Sequence, residues 1–136
     1  MDAAQALSEL TEISSQIEAA CLLDGDGGLL ASTLPNEGAA GRFAAAAGAL
    51  LRGARAARTA GAPLVQLEAA ALDGSVFLVL EGDRAVVAVT KPEPTVGLVF
   101  YDLKSCLRAA AVAGDGDGKP RPKARKRDKS ASESAA

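Results

Sequence analysis

Arg52, Arg55 and Arg58 stand three residues apart in an Ala-rich stretch, which would place three guanidinium groups along one side of a helix. Such a stripe suits contact with an acidic partner surface or with a phosphate reached in trans, since guanidinium is always charged and its fork of donors matches both. The plain alternative is the solvated polar side of an amphipathic helix, and composition alone does not separate the two. A second candidate is Asp24-Gly25-Asp26, which opens like a calcium loop. Gly28 stands where a third oxygen ligand belongs, Leu29 where the turn glycine belongs and Pro35 where the bidentate Glu belongs, so the spacing fits a tight hairpin turn instead.

The remaining reactive types are sparse. The chain has no histidine, which excludes His-dependent triads, His-ligated zinc and imidazole acid/base work. Neither a Gly-x-x-x-x-Gly-Lys-Ser/Thr phosphate loop nor a Gly-x-Gly-x-x-Gly turn occurs, so the chain is not expected to be a P-loop nucleotidase. Cys21 and Cys106 are far apart, each inside an apolar run, the usual setting of a buried reduced thiol. No enzyme activity, metal or cofactor is expected.

A chain of 136 residues suffices for one domain with its own core. The sequence shows neither a secretory leader nor an apolar run of about 20 residues, so a soluble cytoplasmic protein is expected. The net charge of −2 hides an asymmetry: residues 1–113 hold eight Lys and Arg against 13 Asp and Glu, whereas residues 114–136 hold seven against four. The second segment lacks large apolar residues and cannot offset its ordering entropy, so it is expected to be a disordered basic tail behind a domain spanning 1–113. Within it, Lys119, Arg121, Lys123, Arg125, Lys126 and Arg127 could hold nucleic acid or an anionic membrane by charge alone. With no aromatic side chain interleaved, no base stacking is available.

The elements that position these residues can be read from period. Asp2 is a plausible N-cap for a first helix marked by Ala3, Ala6, Leu7, Leu10 and Ile13. Two strands, Ile17–Leu23 and Leu29–Thr33, flank the turn Asp24–Gly28. The longest helix then runs from Asn36 to Ala60, stopped by Gly61 and Pro63. Three strands follow from Leu64 to Thr90 with hairpin connections at Asp73-Gly74 and Glu81-Gly82-Asp83. Val96, Val99, Phe100, Leu103, Leu107 and Ala110 mark a last helix.

Ala19–Leu23, Val76–Leu80 and Ala85–Val89 are apolar on consecutive residues, as central strands covered on both faces are. In Leu64–Ala70, by contrast, Gln66 and Glu68 alternate with Val65, Leu67 and Ala69, which suits an edge. The sequence therefore predicts an α/β (α+β) domain with a five-stranded, mostly antiparallel sheet in the order 2-1-5-4-3. The long helix lies on one face and the two terminal helices on the other. The third strand has no internal Pro or Lys, so two copies could join there into a ten-strand sheet with their long helices side by side. The expected seam comprises Ala44, Ala47, Gly48, Leu51 and Arg55 on the helix and Val65, Gln66, Leu67, Glu68 and Ala69 on the strand, with Arg52 and Arg58 left to contact a partner.

The order of elements, the segment Ile17-Glu18-Ala19-Ala20-Cys21-Leu22-Leu23-Asp24 followed by Gly28-Leu29-Leu30-Ala31-Ser32, and Gly97-Leu98-Val99-Phe100-Tyr101-Asp102-Leu103 at the last helix resemble the roadblock family, relatives of a dynein light chain. The likeness covers about residues 3–112. It implies a profilin-like, roadblock-type fold and a non-catalytic homodimer that binds and regulates a small Ras-like GTPase, as the bacterial gliding-motility regulators do. It also implies a sensor kinase or other signalling component as a further partner, because some roadblock proteins are encoded beside one. The basic tail lies outside the common pattern. It leaves a second reading, a dimerising tether whose tail carries the target.

Overall fold

The computed structural model describes residues 2–58 and 63–117. Helix α1 (Ala3–Ile13) starts where the Asp2 carboxylate accepts a hydrogen bond from the Gln5 amide at 2.8 Å. Its Ala6, Leu7 and Leu10 recur at helical spacing and are buried. Strands β1 (Ile17–Asp24) and β2 (Leu29–Ser32) form a hairpin, closed by Asp24 Oδ1 accepting from the amides of Asp26 and Gly28 at 2.9 and 2.8 Å. Helix α2 (Glu37–Ala57) is capped by the Asn36 side chain, which accepts from the Ala39 amide. β3 (Gln66–Ala71), β4 (Gly74–Glu81) and β5 (Arg84–Thr90) form a meander, and α3 (Val96–Asp117) follows.

All five strands form one sheet in the order β2-β1-β5-β4-β3, with every neighbouring pair antiparallel, as predicted. Because β1, β5 and β4 are apolar on both sides, each needs cover on both faces. One face is covered by α1 and α3, whose Leu7, Leu10, Val99, Leu103 and Leu107 pack on Leu22, Phe77, Val79 and Val86. The other is covered by α2, whose Ala44, Ala47 and Leu51 pack on Cys21, Leu23, Leu78, Leu80 and Val87. No helix among the described residues is long and apolar enough to cross a membrane.

Three boundaries differ from expectation by two residues or more. α2 stops at Ala57 rather than Ala60, and Arg58 is already extended at φ −82°, ψ 137°. No residue of the helix beyond Leu51 is buried, and helices of this kind are held by tertiary packing, so extending the helix would gain little. β3 begins at Gln66 rather than Leu64, although the Val65 carbonyl still accepts from the Leu80 amide at 2.9 Å. α3 runs to Asp117, four residues into the stretch assigned to the tail. The rest of that stretch, with all six basic residues singled out above, lies outside the described residues.

The tight two-residue turn between β3 and β4 has a glycine requirement. Gly74 sits at φ 148°, and a Cβ there would collide with the Thr90 carbonyl oxygen. Phe77 is the largest wholly buried side chain and meets Phe100 edge to face, with ring centroids 5.0 Å apart. Phe77→Ala should cost about 3–5 kcal/mol in urea unfolding. A loss below about 1 kcal/mol would contradict a core closed by α3 at this point.

Candidate protein-interaction site

The two helical layers are unequal in width. Five strands at about 4.8 Å spacing span roughly 19 Å, whereas a helix with its side chains is about 10 Å across. Two helices can cover that width; one cannot. The shortfall on the α2 face falls toward β3, where Phe43, Leu50, Leu64, Leu67 and Val76 are only half-buried against the cluster and Val65 is 62% exposed.

β3 is also the margin of the sheet, hydrogen-bonded on one side to β4 and on the other to nothing among the described residues. The bond from the Leu80 amide to the Val65 carbonyl sets the alternation. Val65, Leu67 and Ala69 turn their backbone groups toward β4, and Gln66, Glu68 and Ala70 turn theirs outward. Side chains alternate in step. Leu67 packs toward α2 with Val65 and Ala69 on its side of the strand, while Gln66 and Glu68 lie on the opposite face, both exposed. The margin therefore combines unpaired donors and acceptors with a half-covered apolar strip, the two features that edge pairing uses.

The helical residues expected at the seam are placed differently. Ala44, Ala47, Gly48 and Leu51 are buried within the protomer's own core, and the flank of α2 beside the open strip carries Phe43 and Leu50 instead. Gly48 faces the β1–β2 turn. A Cβ built on Gly48 or on Gly27 of the β1–β2 turn would crowd Arg52 Nη1, at 3.2 and 3.3 Å, so the turn sits directly against the helix. The arginine stripe divides accordingly. Arg55 donates from Nη1 to the Gly25 carbonyl at 3.1 Å, Arg52 lies over the same turn, and Arg58 is the cap of the helix rather than part of its face.

The other sequence candidates resolve simply. Asp24 holds the turn with its own carboxylate, and no group of three His, Cys, Asp or Glu side chains among the described residues is placed to hold a metal ion. Burial pushes the Cys21 thiol up to about 12 and the Cys106 thiol up to about 11, so both stay protonated near neutral pH. Sequence reasoning misses Phe43 because its neighbours in the helix are mostly alanine. Its one signal is being the single large apolar side chain in the first half of α2, seven residues before Leu50.

No protein-family model and no curated protein matches the sequence. Solved structures do match in shape. A Roadblock/LC7 domain from Streptomyces avermitilis is similar at TM-score 0.74 and 17% identity, covering 83% of this chain and 98% of that one. An MglB protein described with a tetrameric arrangement is similar at TM-score 0.62 and 19% identity, over 84% and 88% of the two chains. The gliding protein MglB from Thermus thermophilus gives TM-score 0.56 and 20% identity over 84% and 89%. The chain has the fold of the Roadblock/LC7 domain and of these MglB proteins, in line with the likeness in its residues.

With both thiols buried and protonated, neither Cys21 nor Cys106 should react with a disulfide reagent in the folded protein at pH 8, and both should react in denaturant. A rapid one-equivalent reaction of the native chain would show that one of the two is reachable.

Proposed function

We propose that this chain is a homodimeric, non-catalytic roadblock-type regulator of a small Ras-like GTPase. The observation that carries the proposal is the β3 margin, where outward-facing backbone groups adjoin an apolar strip that α2 is too narrow to cover. A second copy, related by a two-fold axis, would satisfy both needs at once. Its β3 would continue the ladder, and its α2 would lie beside the first over Phe43, Leu50 and Leu67. Support for the partner class comes from the shared fold, since the MglB proteins it resembles are gliding proteins, one of them recorded with a tetrameric arrangement.

In this reading the paired α2 helices form a composite surface that one protomer lacks. The GTPase switch regions would dock on it, and the regulator would act by binding one nucleotide state better than the other, since a ligand shifts an equilibrium only by its differential affinity. Arg52 is exposed and lies over the β1–β2 turn, where its guanidinium is available to a docked partner.

Pull-down of the intact protein against small GTPases loaded with GDP or a GTP analogue tests the proposal directly; retention in one nucleotide state is expected, and indifference to every GTPase in both states would overturn it. Glu68→Pro gives a sharper arm. The Glu68 amide points outward, so proline there removes no bond to β4 while denying one to a second copy. It should weaken dimerisation about tenfold or more, on the order of 1.4 kcal/mol, and GTPase binding with it, leaving the far-UV spectrum unchanged. Full GTPase binding by a monomeric Glu68→Pro variant would refute the composite surface.

A further inference from the structure

On the sheet face opposite α2, helices α1 and α3 pack together and leave a groove of about 260 Å³. Leu10, Ile13, Tyr101 and Ala109 give it apolar walls, and Ile13 and Tyr101 are 69% and 68% exposed. Glu9 and Asp102 also line it. Asp102 is only 8% exposed, yet it has no hydrogen-bond or ion-pair partner among the described residues. Its carboxylate oxygens are not sealed from water, yet the partial burial disfavours the charged form, and a cation entering the groove would offset that. The neighbouring cations do not reach it: Arg108 is paired with Glu81 at 3.3 Å, and Lys104 is not part of the lining.

The groove thus asks for a positive charge carried on an apolar stem. We propose that the chain's own basic segment, Lys119 to Arg127, returns along α3 and docks in the α1–α3 groove, with Lys or Arg heads at Asp102 and Glu9. Lys and Arg side chains lay their methylene stems along apolar surface while their heads stay polar, and proline rings pack on aromatic ones. Both kinds of residue are present in Lys119-Pro120-Arg121-Pro122-Lys123.

Length and charge support this occupant over others. α3 ends at Asp117, and its groove residues Ala109 to Tyr101 lie about 12–24 Å back along the helix at 1.5 Å per residue. A proline-spaced extended chain advances about 3.1 Å per residue, so it covers that span in roughly four to eight residues. That brings Arg121, Lys123 and Arg125 over the groove. Residues 1–113 carry a net charge of −5 and residues 114–136 a net charge of +3, so the contact is favourable in sign. This inference is independent of the dimer and its GTPase, which use the other face of the sheet.

Tyr101 is the only tyrosine in a chain without tryptophan, so intrinsic emission reports this groove alone. Acrylamide quenching of the full-length protein should be weaker than that of full-length protein carrying Arg121→Glu, Lys123→Glu and Arg125→Glu, substitutions that leave the folded domain untouched. Salt at about 1 M, where charges are screened within about 3 Å, should raise the native value to that of the variant. Asp102→Asn should raise it as well. Equal quenching of native and charge-reversed chains at low salt would overturn the proposal. So would protection of Tyr101 that grows with protein concentration, which would assign the groove to a second copy.

Discussion

The molecule is organised by a mismatch of widths. The five-stranded sheet spans about 19 Å, and the chain supplies two helices to one face and one, about 10 Å across, to the other. The open question in the packing is where the deficit falls. It falls at β3, the strand that is also unpaired along its outer edge, so the uncovered apolar strip and the unsatisfied ladder coincide. A deficit beside β2 would have met a four-residue strand running into Ser32, Thr33 and Pro35, which offers little to pair with.

The composition of α2 reflects its position against the sheet. Alanine at 40, 44 and 47 keeps the helix close to the sheet, and Gly48 lies against the β1–β2 turn. That turn is in turn tied down by Arg55 on the Gly25 carbonyl and overlaid by Arg52. The small residues thus serve packing inside the protomer, while Phe43 and Leu50, the large ones on the open flank, are only half-buried.

Much of this architecture is legible in the residues. Consecutive apolar runs in β1, β4 and β5 mark the sheet's interior, and the alternation through Gln66 and Glu68 marks its edge, a pattern that the observed strand order satisfies. The faces of α2 are not legible, because in an alanine-rich helix nearly every position reads alike and the 3.6-residue period has little contrast. Leu51 reads as part of an outward seam and is inward; Arg55 reads as part of the same seam and binds a turn. Asp102 is hidden for a related reason: it lies within Val99-Phe100-Tyr101-Asp102-Leu103, where position alone does not tell whether an acid faces water or a groove.

The central claim is that a second protomer completes the cover that α2 leaves unfinished. Sedimentation equilibrium of the intact protein over a wide concentration range measures this most directly. A particle of twice the 13.6 kDa chain mass, or an even multiple of it, is expected at micromolar concentration. A single-chain mass at every concentration, with the β3 amides exchanging with solvent as freely as those of an exposed loop, would contradict it.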